Sequence, residues 1–413
     1  MSSLPQTIPV LGFLVEAIPV LAHWKLSLAP ASRVKELLTR RASMDSETAL
    51  AQSVLIHGPI SRSDLTRRLD LSPASLTRLA KPLLDRGLLV ELGEVADGSV
   101  GRRSRPLDVA KNVGSFIGIK LTGDRLYAVH TNVRAQPLGS RSHPIKDASP
   151  DGVVKLIEKT IGELKAEDLV GLGVSLGGTV RDGIVENAPF LGWQNVPFAE
   201  LLTSNISGPV AIENDLIALA EAERWFGIGK DLPGFVVVTI GAGVGYALVV
   251  NGETVVTPDA GTGTGGHIPL SSDGSVCPDG HRGCSRALLT SPAISNQVSA
   301  ALGRPVSYEE ALKLAADGDP AARTIIDDAA DALGTFFALA ANFTLQSSIV
   351  LAGEGVGLYL RNRDRVSARV DQLRSTSAKP VTVQVDESGF DAWARGAATI
   401  AIQSALHQLP TQK

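Results

Sequence analysis

Long apolar runs, cysteine, methionine and an excess of basic charge are all scarce in this chain of 413 residues. The mostly apolar stretch from Ile8 to Ala22 is interrupted by Pro9, Gly12, Glu16 and Pro19 and has no basic residue before it. It is too short to span a bilayer and reads neither as a membrane anchor nor as a signal peptide, so a cytoplasmic protein with no membrane partner is expected. A net charge of −4 gives no global attraction to nucleic acid, so any such contact must come from a local patch. Methionine occurs twice, and Met44 stands just ahead of the first well-formed helical pattern. Residues 1–43 are therefore expected to be an N-terminal extension, poorly ordered or produced by a misplaced start, with Arg33, Lys35, Arg40 and Arg41 making its end basic.

What remains is the composition of an ordinary globular protein, 44% hydrophobic and 20% charged, with room for two or three domains. Its 41 glycines suit many tight turns. Both cysteines fall in one loop, Cys277-Pro278-Asp279-Gly280-His281-Arg282-Gly283-Cys284, with His267 ten residues before the first. His267, Cys277, Asp279 and Cys284 offer an imidazole, two thiolates and a carboxylate, a complete set for a four-coordinate zinc ion. A disulfide or chance proximity is the alternative at this point.

Residues 46–57 carry Ala49, Leu50, Val54 and Leu55 at helical spacing and stop at Gly58-Pro59. A short helix follows, with capping side chains in Ser61-Arg62-Ser63-Asp64 and a stripe of Leu65 and Leu69. The third helix opens with Ser72 as cap and Pro73 at its first position, and buries Leu76, Leu79, Leu83 and Leu84. Ser72, Ser75, Thr77, Arg78 and Lys81 are the small polar and basic residues expected to face a DNA major groove. Beyond a strand at Leu88-Leu89-Val90-Glu91 and a turn at Asp97-Gly98, the run Gly101-Arg102-Arg103-Ser104-Arg105 reads as a β-wing whose Arg102, Arg103 and Arg105 meet phosphate or the minor groove. Between Ser61 and Arg86 six basic residues face three acidic ones, the local patch that the overall charge requires. A small bundle for protein contacts, its arginines merely solvated, is the competing reading.

From Val113 strands and turns alternate. Phe116–Leu121 with Leu126–His130 predicts a hairpin, a helix spans Gly152–Leu164, and strands run over Val170–Ser175, Pro209–Asp215 and Phe235–Ile240, the last entering Gly241-Ala242-Gly243-Val244-Gly245. Two strand-rich lobes around a cleft follow.

The motifs Ser175-Leu176-Gly177-Gly178, Glu213-Asn214-Asp215, Thr239–Gly245, the His267–Cys284 loop and Leu351-Ala352-Gly353-Glu354-Gly355-Val356, in that order, resemble the ROK family of repressors, open reading frames and kinases. With residues 46–110 the chain resembles the family's winged-helix regulators of xylose- and N-acetylglucosamine-repressor type. The resemblance implies an α/β fold: a winged helix-turn-helix at 44–110, then at 111–413 a two-lobed domain like actin, Hsp70 and sugar kinases, with lobes of about 111–212 plus 390–408 and 213–389. It implies a repressor of carbohydrate genes, binding a double-stranded operator as a homodimer or homotetramer and sensing a sugar, with structural zinc. Gly177, Gly178, Asn214, Asp215, Thr264 and His267 are the ligand-binding residues carried over by it. The alternative it implies is an ATP-dependent sugar kinase with an N-terminal helical domain.

Departures from the family pattern bear on that choice. Where the family's kinases carry Asp-x-Gly-Gly-Thr, this chain has Lys120-Leu121-Thr122-Gly123-Asp124. Loss of that turn and its acid removes the electrostatic stabilisation on which phosphoryl transfer depends, so no catalytic residue is expected and Asp215, the family's base, is left as a hydrogen-bond acceptor. Thr264 stands for a sugar-binding Glu and Phe190 for an Asn, which implies either a less hydroxylated or derivatised sugar or a pocket that no longer responds to sugar. In the metal signature Asp279 takes the place of the middle thiolate and Arg286 that of the terminal Glu.

Overall fold

A computed structural model describes residues 46–96, 103–204 and 208–408, of which 95, 96, 103 and 104 by backbone alone. The extension 1–43, the Asp97-Gly98 turn and Arg102 lie outside the described residues.

Three helices come first: α1 (46–57), α2 (Arg62–Leu69) and α3 (Pro73–Asp85). Ser61 caps α2 by accepting from Asp64 N, and Ser72 caps α3 by accepting from Ser75 N, each satisfying a donor that the first helical turn leaves free. Leu65, Leu76, Leu79, Ala80 and Leu83 turn inward, while Leu69 and Leu84 are only half-buried. Pro82 sits inside α3 without ending it. Next come β1 (Leu89–Glu91), β2 (Val95–Ala96), β3 (Arg103–Ser104) and β4 (Leu107–Val109). β1 pairs with β4 and β2 with β3, both antiparallel, so the chain goes out and back as one narrow ribbon.

The first large sheet is built from β5 (Ser115–Leu121), β6 (Arg125–Asn132), β7 (Pro137–Pro144), β8 (Leu169–Leu176) and β12 (Val210–Asn214), in the order β12-β8-β5-β6-β7. β5 to β7 form the expected hairpin and one strand more, and β8 and β12 run parallel beside them. The parallel steps are bridged by α4 (Pro150–Leu164), by a small sheet of β9 (Thr179–Arg181), β10 (Ile184–Ala188) and β11 (Trp193–Val196), and by α5 (Phe198–Thr203). After α6 (Asp215–Phe226), the second large sheet takes β13 (Gly234–Ile240), β14 (Val244–Val250), β15 (Glu253–Thr254), β16 (Ser348–Ala352) and β17 (Thr382–Val385) in the order β15-β14-β13-β16-β17. Helices α7 (Ser285–Leu289), α8 (Ser291–Leu302), α9 (Tyr308–Ala316), α10 (Pro320–Thr344), α11 (Gly357–Arg361) and α12 (Arg363–Leu373) belong to this half, and α13 (Phe390–Gln408) closes the chain.

Helix α13 packs on β5, β6, β8, β12 and α6, and its small side chains let it do so closely. A Cβ on Gly118 would lie 2.0 Å from the Ala394 carbonyl oxygen, and one on Gly173 1.8 Å from that of Ala397, so only glycine lets the helix settle on these strands.

The three-helix head has no core of its own. Leu50, Val54, Leu55, Leu65, Leu79 and Leu107 share one apolar cluster with Phe116, Ala135, Trp225, Ile402 and Leu406 of the sheet domain. Arg134, in the β6–β7 turn, completes the join. It donates to Leu55 O at 2.9 Å and Val54 O at 3.3 Å, capping the carboxyl end of α1, and pairs with Asp108 of β4.

Candidate functional site

The carboxyl ends of β5, β8 and β12 lie side by side, because Lys120 is in register with Ser175 and Ser175 with Glu213. Such ends, where strands hand over to helices, are where α/β sheets place their ligands. β12 delivers Asn214 and Asp215 at the start of α6. Asn214 is buried and both ends of its amide are engaged: Oδ1 accepts from Leu216 N at 2.9 Å and Ile217 N at 3.3 Å, and Nδ2 donates to Gly178 O at 2.8 Å. It ties the Gly177-Gly178 turn to α6. Gly178 has φ of 143°, a conformation that favours glycine.

Asp215 is the acid of the site, and Lys120 meets it. The ammonium hydrogen-bonds Oδ2, with side-chain exposures of 7% and 15% for the two residues. The same ammonium lies 5.1 Å from the ring centroid of Trp393 in α13, a cation–π contact. Glu213, one residue earlier, is pushed up from the usual carboxyl range by burial, against the pull of its hydrogen bond from Asn214 N. The Phe190 ring is 66% exposed and borders this acid across Gly177, where an added Cβ would meet Asp215 Oδ2 and Phe190 Cδ2, each at 3.5 Å. An open aromatic face beside a neutralised ion pair is a surface for the apolar side of a ligand. Thr264, in the 3-10 turn Thr264–His267, is exposed.

The same turn delivers His267 to the cysteine loop. Both cysteines are buried free thiols, so the disulfide alternative is not formed in this structure. Cys277 Sγ lies 4.0 Å from His267 Nδ1 and 3.6 Å from His281 Nδ1. Tetrahedral bond lengths place sulfur and nitrogen ligands of one zinc about 3.6 Å apart, so these three residues fit such an ion. His281 is the ligand candidate that the sequence reading passed over, although an imidazole four residues after Cys277 was visible there. Asp279, expected in its place, is held by Arg286, with Oδ2 3.7 Å from His267 Nε2 and 4.0 Å from Cys277 Sγ. Burial pushes the Cys277 thiol up, but backbone N–H groups of His281 and Asp279, the His281 ring and Cys284 outweigh it and bring it down to about 7. Cys284 is raised, chiefly by burial and then by Cys277. One sulfur is thus poised as thiolate, the form that binds metal.

At the head, Thr77, Arg78 and Lys81 are exposed along α3, Ser72 is exposed and Ser75 half-buried. Thr77 Oγ1 donates to Pro73 O at 2.9 Å and Ser72 Oγ to Ser75 Oγ at 3.0 Å, leaving Arg78 and Lys81 as the extended side chains of that face. Arg103 lies in β3, and Arg105, after it, reaches Glu94 at 3.5 Å.

Two five-stranded sheets with helices gathered between them define a protein of the actin and sugar-kinase class of α/β folds. The ROK family model matches residues 116–404, and the chain belongs to that family. It is similar to the xylose repressor of Caldicellulosiruptor bescii, 28% identical over 254 residues, 58% of this chain and 63% of that one. It is also similar to the DNA-binding transcriptional dual regulator NagC of Escherichia coli K12, 26% identical over 317 residues, 72% of this chain and 77% of that one. The chain spans less than two thirds of the length of the Caldicellulosiruptor xylose repressors it matches. Among solved structures, a ROK family transcriptional regulator homologous to the E. coli MLC protein superposes with a TM-score of 0.74 at 25% identity, over 88% of this chain and 97% of that one. A ROK glucokinase from Streptomyces griseus superposes with a TM-score of 0.59 at 22% identity over 70% of this chain and 99% of that one, a likeness of fold alone. No described helix is long and apolar enough to cross a membrane.

Proposed function

We propose that this protein is a sugar-responsive transcriptional repressor: a winged helix-turn-helix at 44–110 reads an operator, and a ROK domain at 111–413, with lobes of about 111–212 plus 390–408 and 213–389, senses a carbohydrate without phosphorylating it. The observation that carries the reading is the fusion of cores. A helix with Thr77, Arg78 and Lys81 outward is built into the same apolar cluster as Trp225 of α6 and Ile402 of α13, the two helices that abut the Asp215 site. A ligand that favours one arrangement of those helices shifts the pose of the reading helix by its differential affinity. One such helix reads a half-site, so the acting species is a two-fold homodimer or a tetramer of such dimers. The wing, Arg102, Arg103 and Arg105, supplies phosphate or minor-groove contacts. The protein works in the cytoplasm, where the genome lies.

The expected lack of kinase activity has two grounds, the missing Asp-x-Gly-Gly-Thr turn and Lys120. Phosphoryl transfer needs an acid free to orient and deprotonate the acceptor hydroxyl; an ammonium on Asp215 occupies that acid. Gly177, Gly178, Asp215, Thr264 and His267 line the sugar pocket in this reading, Asn214 holds it together, and Phe190 selects a ligand with an apolar face. Zinc belongs to His267, Cys277, His281 and Cys284, with Asp279 and Arg286 beside them; it supplies a structural cross-link between the 3-10 turn and α7.

The test is selection of genomic fragments by the purified protein, followed by fluorescence anisotropy on the recovered site with a panel of neutral, deoxy and aryl sugars. A site bound at least a hundredfold tighter than random duplex, and released by one of these sugars, supports the reading. Binding no better than to random duplex rejects it.

A further inference from the structure

From Ala392 to Leu406, helix α13 is small, apolar or hydroxyl- and amide-bearing, and Arg395 is the one charged side chain in that run. It stands where three parts of the molecule meet. On one side is the crossing with α6, so tight that a Cβ on the next residue, Gly396, would sit 2.8 Å from the Ala218 carbonyl oxygen. Farther along α6 the buried Glu223 hydrogen-bonds Asp386, in the loop before α13, and feels the Arg395 charge. On the other side Arg395 Nε donates to Ala135 O, in the β6–β7 turn, at 3.3 Å. That turn is stiff: Asn132 Oδ1 accepts from Arg134 N at 2.9 Å and Gln136 N at 3.1 Å, and Ala135 N donates to Asn132 O at 3.0 Å. Ala135 is fully buried with φ of 53°, a left-handed conformation that a residue with a Cβ adopts only where its surroundings impose it. Its neighbour Arg134 carries the grip on Val54 O, Leu55 O and Asp108 that joins head to body. Two guanidinium groups thus meet on one turn, Arg395 reaching in from α13 and Arg134 reaching out to α1.

We propose that Arg395 is the positioning residue through which occupancy of the Lys120–Asp215 site reaches the DNA-reading head. Trp393, two residues earlier in α13, lies against the Lys120 ammonium, and Gly396, one residue later, lies against α6. A ligand that shifts α6 or Lys120 against α13 therefore moves the Arg395 guanidinium. The Ala135 carbonyl follows, and Arg134 draws the end of α1 with it. Hydrogen-bonded networks and rigid elements are what carry coupling between distant sites. The relay rests on the sugar-responsive reading above for its use, but its existence is measurable without DNA or sugar.

The first experiment is hydrogen–deuterium exchange on the full chain. The double change K120M/D215N removes the ion pair together with the contact to Trp393. With Arg395 present it is expected to alter exchange at residues 54–58, the end of α1, by about threefold to tenfold. In an R395M background the same double change should leave those amides as they were, and R395K, still able to donate to Ala135 O, should restore the response. The second experiment uses the recovered operator and the sugar that releases it. R395M should bind that sugar as wild type does by calorimetry, yet the sugar should shift its operator affinity at least about fivefold less, a separation that a merely stabilising residue would not produce. N132A, which loosens the turn without touching α13, should show the same loss and takes the place of R395M if that variant does not fold. The relay is overturned if the end of α1 ignores K120M/D215N with Arg395 present, or responds equally with Met in its place. Full release of operator by sugar in R395M or N132A overturns it as well. Recovery of no operator rejects the repressor reading instead, and the exchange result then decides the relay.

Discussion

The Lys120 ammonium rests on the Asp215 carboxylate, joining the end of β5 to the start of α6 within a site where both side chains are largely hidden from water. Removing one member of such a pair strands the other's charge, whereas removing both costs far less. Lys120→Met is expected to destabilise the fold by about 3 kcal/mol in urea denaturation, and the double change K120M/D215N to recover most of that loss. Additive losses would show that the two residues do not form one unit. K120A is also expected to leave sugar phosphorylation absent in a coupled ATP assay, since the Asp-x-Gly-Gly-Thr turn is missing as well.

The proposed metal ligands can be separated by mutation. His281→Ala and Cys277→Ser should each bring zinc below about a tenth of an equivalent by elemental analysis and lower the melting temperature, because a structural ion contributes folding energy outright. Asp279→Ala should keep the ion. Zinc retained in H281A and lost in D279A would restore the carboxylate to the ligand set.

For the reading helix, Arg78→Ala should weaken operator binding by about 1 to 3 kcal/mol and relax preference at one base position. Lys81→Ala should weaken all duplexes alike and reduce the salt slope by about 1. Anisotropy titrations at several salt concentrations measure both. An Arg78→Ala protein with unaltered affinity and preference would take Arg78 off the base-reading face.

Stability should vary with pH through Glu223. Burial, and then the neighbouring Asp386, push this carboxyl up from 4.5 to about 7, while Ile228 N–H and Arg395 pull the other way. A raised folded value means that the stabilising contribution is fully present below about 4.5 and is lost as pH rises through about 7, a change on the order of 3 kcal/mol. Melting temperature should therefore be higher at pH 5.5 than at pH 8, and Glu223→Gln should flatten that difference. An E223Q protein with the same pH slope as wild type would assign the slope elsewhere.

Local chemistry explains which parts of this molecule could be read from sequence. Ser61, Ser72 and Pro73 mark helix starts by mechanisms confined to a single turn, and the observed caps are the ones these residues predict. The β5–β6 hairpin, α4 and the run from β12 into α6 follow from periodicity and capping in the same way, with ends shifted by a residue or two. Contacts between distant segments left no such trace. Arg134 looks like any turn arginine until α1 and β4 arrive beside it, and Trp393 becomes a partner of Lys120 only because α13 crosses the sheet. Asp279 was legible as a carboxylate at a ligand's place in the motif, but its pairing with Arg286 and the approach of His281 depend on how the loop folds back.

The apolar cluster that joins the head to α6 and α13 bears on how this protein can be divided. Cutting the chain between Val109 and Val113 would strip cover from Leu107 on one fragment and from Trp225, Ile402 and Leu406 on the other. Each piece would present a greasy scar to water and tend to clump. The shared cluster predicts that the two halves unfold together and that neither would serve as a detachable module for another protein.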